Sequence, residues 1–256
     1  MIEGTAKGIG YVAGSWPLDP EKSTIVFIHG AGGSSLFWQA QVKGLVARAN
    51  TIAIDLPGRG RSGNEGRNTV EDYAEAVVVF IKEINAPNPI PCGLSMGGAV
   101  TQQLLLDYQD LFKAGVLIST GSRLKVTPVI FETIEKDYHE FVNIIGKFAA
   151  SKNTDPGLVE PFQQDTARCK AETTHGDFRA CDSFDSSNHL SSIEVPVLVV
   201  TAEDDVLTPP KYGDFLEKHI KNASRAHIMD AGHIVPMEKP DEINKTILKF
   251  LDQTGL

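Results

Sequence analysis

The chain is poor in cysteine, carries no run of basic residues and has no long apolar segment. Three cysteines in 256 residues are an odd and sparse set, which suits a reducing cytoplasm. The net charge of −9, without a basic run, argues against a surface that binds nucleic acid. No apolar run approaches the ~20 residues of a membrane-spanning helix, and the first seven residues lack the apolar core of a signal peptide. We therefore expect a cytoplasmic protein with neither a nucleic-acid nor a membrane partner.

What the sequence does contain is an alternation of strand-like and helix-like patterns. Apolar runs typical of buried strands occur at residues 24–28, 51–54, 114–119 and 195–200, and the last strand is predicted at 225–229. Apolar residues at helical spacing lie between them, at residues 36–49, 70–84, 99–108, 213–220 and 240–251. Residues 2–16 predict one or two short antiparallel strands. Strands and helices that alternate with short connections predict an α/β fold with a mostly parallel central sheet flanked by helices.

The alternation stops near the midpoint of the chain. Residues 121–190 contain no clear strand, and their apolar residues are spaced as in helices. We expect a core domain formed by residues 1–120 and 191–256, with a helical insertion at 121–190. The aromatic side chains of this insertion predict either a lid over a pocket or a small core of their own.

One short stretch, Gly93-Leu94-Ser95-Met96-Gly97, has the spacing of a nucleophile elbow, in which a serine sits on a sharp turn between a strand and a helix. Side chains at the two flanking glycines would collide with the backbone of so tight a turn. The serine is expected to be strained, with its hydroxyl exposed at the carboxyl end of the strand.

Ligands of an open parallel sheet bind beyond the carboxyl ends of its strands, so the residues that follow each predicted strand are the candidates for chemistry. Ser95 follows one strand, Asp204 and Asp205 follow the strand at 195–200, and His233 follows the last strand. Serine, acid and histidine occur in the chain order that accompanies this elbow. A glycine-rich loop after the strand at 24–28 would keep side chains away from the same edge.

These motifs resemble the α/β-hydrolase family over essentially the whole chain, with a helical cap inserted after the sixth strand. The matching residues are His29-Gly30, Asp55-Leu56-Pro57-Gly58-Arg59-Gly60-Arg61-Ser62, Gly93 to Gly98, Asp205 with Pro209, and Gly232-His233. The resemblance implies Ser95 as nucleophile, His233 as general base and Asp205 as the acid that orients it. Asp204 is the competing candidate for the acid.

A serine nucleophile also needs N–H donors for the negative charge that develops on the substrate oxygen. The backbone N–H of Met96, next to the nucleophile, is one candidate, and that of Ala31 in the glycine-rich loop is the other. With these groups, the chain is expected to cleave a carboxylic ester or lactone through an acyl-Ser95 intermediate. It is expected to need no metal or organic cofactor, and to act as a monomer or small homo-oligomer on a small molecule.

The bond that is cleaved has alternatives. The elbow is similar to that of 3-oxoadipate enol-lactonases, but His29-Gly30 stands where those enzymes are expected to have Leu-Gly. Hydrolases of carbon–carbon bonds in ring-fission products and cofactor-free perhydrolases share the Ser-Met-Gly-Gly sequence. A non-catalytic relative that binds a small apolar ligand is a further hypothesis, although such a protein has no need of all three residues Ser95, Asp205 and His233.

Two other patterns favour structural interpretations. Residues 58–63 have the spacing G-x-G-x-x-G, but a dinucleotide site needs a helix that begins on the motif. Residues 64–68 are instead predicted to continue the loop. Cys169, His175 and Cys181 are separated by six residues each, which does not match compact zinc-ligand spacing.

Overall fold

The computed structural model describes residues 1–63 and 65–256. Within them an eight-stranded sheet runs in the order β1-β2-β4-β3-β5-β6-β7-β8. The strands are β1 (Ile2–Ala6), β2 (Ile9–Ala13), β3 (Thr24–Ile28), β4 (Asn50–Asp55), β5 (Pro89–Leu94), β6 (Gly115–Ile118), β7 (Val197–Ala202) and β8 (Ala223–Ile228). The β1–β2 and β2–β4 pairs are antiparallel, and the other pairs are parallel. The predicted mostly parallel α/β architecture is confirmed.

Ten α-helices lie in the described part of the chain. They are α1 (Gln39–Leu45), α2 (Val70–Glu83), α3 (Met96–Asp107), α4 (Pro128–Lys136), α5 (Tyr138–Ala149), α6 (Pro156–Ala167), α7 (Ala171–Ser183), α8 (Pro210–His219), α9 (Val235–Glu238) and α10 (Pro240–Thr254). None of these described helices is long and apolar enough to span a bilayer.

The sheet is covered on both faces because its central strands are mostly apolar and carry apolar residues on both faces. Alternate residues of β3 point to opposite sides: Ile25 and Phe27 join one core cluster, Val26 and Ile28 the other. Helices α2 and α3 pack on the side of Val26, and α1 and α10 on the side of Ile25. Strands β3, β4, β5, β6 and β7 are buried throughout, whereas the edge strand β8 is largely exposed. This layering holds the carboxyl ends of the parallel strands at one edge.

Helices α4 to α7 lie between β6 and β7, where the sequence predicts a helical insertion. Its aromatic side chains divide between the two predicted roles. Phe141 packs with Ile134 and Val142 in a small core of the insertion itself. Phe162 and Phe178 instead line the cavity described below.

Several boundaries differ from the sequence prediction. The helix expected at 36–49 is a 3₁₀ turn at Ser35–Trp38 followed by α1, which ends at Leu45. Helix α8 begins at Pro210, three residues earlier than predicted, because a proline at the first helical position has its φ already set for a helix. Residues 58–61 are turns and bends, and the next helix begins only at Val70, so no helix starts on the G-x-G-x-x-G motif. Asn64, where the loop is predicted to continue, lies outside the described residues.

Candidate active site

Ser95 occupies the turn between β5 and α3 in a strained backbone conformation, with φ 54° and ψ −117°. A Cβ on Gly93 would lie 1.9 Å from the carbonyl oxygen of Gly97, and a Cβ on Gly97 would lie 2.2 Å from that of Ile28. Both positions therefore accept only glycine. The Ser95 N–H donates to Ile118 on β6 at 3.0 Å, which ties the turn to the sheet.

The Ser95 side chain is half-buried and faces a cavity of about 310 Å³ that His233 also lines. Among the hydrogen bonds of the described residues, none joins the Ser95 hydroxyl to the His233 ring. Such bonds are often long in a substrate-free site and shorten when substrate binds. The structure thus brings the predicted nucleophile and base around one cavity, with the hydroxyl free to turn towards a ligand.

His233 is oriented by Asp205. Its Nδ1 lies 2.9 Å from Asp205 Oδ2 and 3.1 Å from Oδ1, and both side chains are buried. Because a carboxylate only accepts, Nδ1 carries the proton and the lone pair of neutral histidine is on Nε2. The ring is thereby fixed in the tautomer that can accept a proton on its cavity side.

Asp205 is itself held by the start of the following loop. Its carboxylate accepts the backbone N–H groups of Leu207 at 3.0 Å and Thr208 at 2.8 Å, and the Thr208 hydroxyl at 2.8 Å. Burial by itself would raise the pKa of Asp205. The charge of His233 and the hydrogen bonds from His233 and Thr208 outweigh burial and hold the pKa below its ordinary value. Asp205 therefore stays ionised at neutral pH.

Thr208 is a site residue that sequence reasoning missed. Its hydroxyl lies 3.1 Å from His233 Nδ1 as well as 2.8 Å from Asp205. The spacing Asp-x-x-Thr was a usable signal, since an aspartate commonly accepts a backbone N–H two or three residues on.

Asp204, the competing candidate for the acid, points elsewhere. Its Oδ2 accepts the Ser151 hydroxyl at 2.5 Å, and its backbone N–H donates to Ala231 at 2.8 Å. These contacts direct it to the segment that follows α5. Of the two neighbouring acids, the structure places Asp205 against His233.

The glycine-rich loop after β3 forms a tight turn beside Ser95. The Gly33 N–H donates to the Gly30 carbonyl at 3.1 Å, which closes a four-residue β-turn. Gly32, the third residue, has φ +77°, as a type II turn requires. A Cβ on Gly30 would lie only 3.2 Å from that of Ser95. Within the described residues, neither the N–H of Ala31 nor that of Met96 has an intramolecular acceptor. These are the two backbone donors that the sequence predicts for an oxyanion.

His29 links the glycine-rich loop to the segment after β4 through two hydrogen bonds. Its Nε2 accepts the N–H of Leu56 at 3.0 Å, so Nδ1 carries the proton and donates to the Gly30 carbonyl at 2.8 Å. The ring is fully buried, and burial lowers the pKa of His29. A neutral histidine therefore links the ends of β3 and β4, and it does not line the cavity.

The walls of the cavity are mainly apolar. They come from the glycine-rich loop, the inserted helices and the loops after β7 and β8, and include Phe37, Leu124, Ile130, Ile145, Phe162, Phe178 and Ile234. Trp38 does not line it but stacks on Phe27 at 5.0 Å, fully buried. Lys125 is the one lysine or arginine on the described wall, and its Nζ is bound to the carbonyl oxygen of Asp182, 3.7 Å from the carboxylate.

No group of three or more histidine, cysteine, aspartate or glutamate side chains is arranged to hold a metal ion in the described part of the chain. The separate residues Cys169, His175 and Cys181 form no such group. His175 lies 3.1 Å from Glu135 instead.

Comparison with known proteins gives consistent matches along the chain. The model of the alpha/beta hydrolase family matches residues 25–246. The 3-oxoadipate enol-lactonase 2 of Acinetobacter baylyi is 24% identical over 235 residues, which cover 89% of this chain and 88% of that protein. A solved thermophilic esterase is 30% identical, with a TM-score of 0.83 and coverage of 99% of this chain and 98% of its own. A bromoperoxidase from Bacillus anthracis has a TM-score of 0.90 at 19% identity, with coverage of 98% and 100%.

The family model spans most of the chain, from residue 25 to residue 246. The chain belongs to the α/β-hydrolase family, whose members named above are enzymes.

Proposed function

We propose that this hydrolase cleaves a carboxylic ester through an acyl-Ser95 intermediate. One observation carries the proposal: a histidine held by an ionised carboxylate, a serine on a strained elbow and Ala31, with its unpartnered backbone N–H, line one apolar cavity, and Met96, with the second unpartnered N–H, directly follows the serine. A serine hydroxyl is a weak nucleophile. It needs a general base, an acid that orients the base, and hydrogen-bond donors for the negative charge that develops on the substrate oxygen.

In the first half of the reaction, Ser95 Oγ attacks the ester carbonyl carbon while His233 Nε2 takes the hydroxyl proton. Asp205 stabilises the imidazolium that forms. The N–H groups of Ala31 and Met96 donate to the oxyanion of the tetrahedral intermediate. His233 then gives its proton to the leaving alkoxide, so an alcohol departs and the acyl group remains on Ser95.

In the second half, a water molecule replaces the alcohol. His233 takes one of its protons, and the hydroxide attacks the acyl-Ser95 carbonyl. Collapse of the second tetrahedral intermediate returns the proton to Ser95 and releases a carboxylic acid. Loss of one oxyanion donor in such a site typically raises the barrier by about 2.7–4 kcal/mol. A lactone would react by the same steps, its alcohol staying on the released acid.

We assign the inserted helices, residues 121–190, the role of a cap over a core domain of residues 1–120 and 191–256. Phe162 and Phe178 of the cap face the same cavity as Ser95. The cap therefore contributes to the choice of acyl and alcohol groups, and the core contributes the groups that react.

The experiment is hydrolysis of a short-chain p-nitrophenyl ester, with lactones, ring-fission dienoates and peroxide as parallel arms. We expect ester turnover that Asp205→Asn lowers by at least ~10²-fold, because an uncharged amide neither stabilises the imidazolium nor fixes the same tautomer. Asp204→Asn is the matched control and is expected to stay within a few-fold of wild type. Activity kept by Asp205→Asn but lost by Asp204→Asn would reverse the assignment. Absence of turnover on the whole panel would favour a non-catalytic binding protein.

The walls of the cavity also predict a preference for uncharged substrates. A carboxylate deep in the cavity would lose its water, and the single ammonium on the wall, Lys125, is already bound to Asp182. We expect kcat/KM for p-nitrophenyl hexanoate to exceed that for the mono-p-nitrophenyl ester of adipic acid by at least ~10-fold. The two esters have the same chain length and leaving group. Equal values would contradict an apolar acyl site.

A further inference from the structure

A buried carboxylate from the cap reaches the turn that carries Ala31. Asp177 Oδ2, on α7, accepts the N–H of Gly32 at 2.9 Å and also pairs with the guanidinium of Arg59. Its other oxygen accepts the Tyr73 hydroxyl at 2.5 Å. The side chains of Asp177 and Arg59 are fully buried. A charged group of the insertion is therefore buried against the glycine-rich loop that lies beside Ser95.

The bond to Gly32 acts on the orientation of one peptide group. Ala31 and Gly32 are the two central residues of the turn closed by the Gly33 N–H and the Gly30 carbonyl. The direction of the peptide between them is what distinguishes the common turn types from one another. A carboxylate on the Gly32 N–H fixes this direction, because the reversed peptide would place the Ala31 carbonyl oxygen against a negative charge. Hydrogen bonds to an ionised acceptor are roughly twice as strong as neutral ones.

A contribution to the free energy of unfolding is by itself a weak explanation for the buried Arg59–Asp177 pair. Taking a carboxylate and a guanidinium out of water costs several kcal/mol per ion, and an apolar pair of similar shape is often as stable. Arg59 is also incompletely satisfied: it donates to the Thr174 hydroxyl at 3.1 Å, but its Nε has no partner in the described residues. A costly, imperfect ion pair that contacts the loop of the proposed oxyanion donor fits a role in positioning.

We propose that Asp177 is a positioning residue: by holding the Ala31–Gly32 peptide it fixes the backbone of the turn, and with it the Ala31 N–H on the preceding peptide, which meets the oxyanion of the bound ester. This proposal rests on the hydrolase function proposed above. The cap would then take part in catalysis. Helix α7 contributes no reacting group, but it positions the Ala31 N–H of the core domain.

The test compares two double variants that remove the ion pair and differ in whether residue 177 can form hydrogen bonds with the Gly32 N–H and the Tyr73 hydroxyl. Arg59→Met/Asp177→Asn keeps an oxygen for the Gly32 N–H, and Arg59→Met/Asp177→Leu presents an apolar group of similar shape. We expect kcat of the leucine variant on a p-nitrophenyl ester to be at least ~10-fold below that of the asparagine variant, with KM within about twofold. A serine-directed phosphonate should label the leucine variant more slowly to a similar degree, since it too develops an oxyanion.

Thermal unfolding and near-ultraviolet circular dichroism are recorded for both variants, and Arg59→Met/Asp177→Ala replaces the leucine variant if that one does not fold. Equal kcat in the two folded variants, or a difference in KM alone, would overturn the role of Asp177 and leave the hydrolase function standing. Absence of ester turnover in the wild type would instead overturn the hydrolase function, and this proposal with it.

Discussion

Ser95→Ala is expected to lower kcat on a p-nitrophenyl ester by at least ~10³-fold, with KM changed by no more than a few-fold. The alanine removes the only atom that bonds to the acyl carbon, so His233 and the two N–H donors are left with no nucleophile to assist. The thermal stability of the variant should stay close to that of the wild type. The Ser95 hydroxyl makes no hydrogen bond within the described residues, and alanine keeps the same backbone strain at φ 54°. Steady-state kinetics and thermal unfolding measure the two effects separately.

Ser119→Ala is the matched control. Ser119 follows the neighbouring strand β6, also has a positive φ of 45°, and has a buried hydroxyl without a partner in the described part of the chain. It does not line the cavity. Its replacement should leave kcat within about twofold of wild type. If Ser95→Ala keeps more than a tenth of wild-type kcat, or Ser119→Ala loses as much, the nucleophile lies elsewhere.

Arg59→Met is expected to lower the free energy of unfolding by about 3–5 kcal/mol, the largest stability effect of the account. The substitution leaves the Asp177 carboxylate fully buried without its countercharge, and an unpaired buried charge is far more costly than a lost ion pair. Burial alone would lower the pKa of Arg59, but the nearby Asp177 charge raises it, so the guanidinium is charged throughout the accessible range. Urea denaturation at neutral pH measures the change.

Arg123→Met is the control for this substitution. Arg123 pairs with Asp185 at 3.1 Å, but the two side chains are 57% and 41% exposed, so solvent screens the pair. Its loss should change stability by no more than ~1 kcal/mol. Adding Asp177→Asn to Arg59→Met should recover part of the lost stability, because it removes the stranded charge. Similar losses for both arginine variants would mean that the Arg59–Asp177 pair is not the buried, desolvated pair described here.

The fold could be predicted from the sequence because the patterns that indicate its strands and its elbow lie within short segments of the chain. Strand β3 is apolar at four of its five positions, a pattern typical of a strand covered on both faces, and the structure buries all five. The glycines at 93 and 97 were interpretable for a similar reason. The clash that excludes a side chain at Gly93 is with Gly97, four residues away.

The contacts that hold the site together were harder to predict because they join distant segments. Arg59 and Asp177 are 118 positions apart, and each was an ordinary charged residue in the sequence. The resemblance implied Asp205 rather than Asp204 as the acid, but the contacts of the two side chains, Asp205 with His233 and Asp204 with Ser151, are visible only in the folded loop. The end of α1 at Leu45 was missed by a few residues because apolar spacing continues past the point where the helix stops. The start of α8 at Pro210 was missed because the proline that begins the helix precedes its apolar pattern.

The central claim is that Ser95 is a nucleophile, and covalent trapping tests it most directly. The wild type is incubated with a fluorophosphonate, and the intact protein and its peptides are analysed by mass spectrometry. We predict one equivalent of phosphonate per chain, on the peptide that contains Ser95, with matching loss of ester hydrolysis. His233→Ala should be labelled far more slowly, because the hydroxyl then has no base. No labelling of the wild type, or labelling at a residue other than Ser95, would contradict the account.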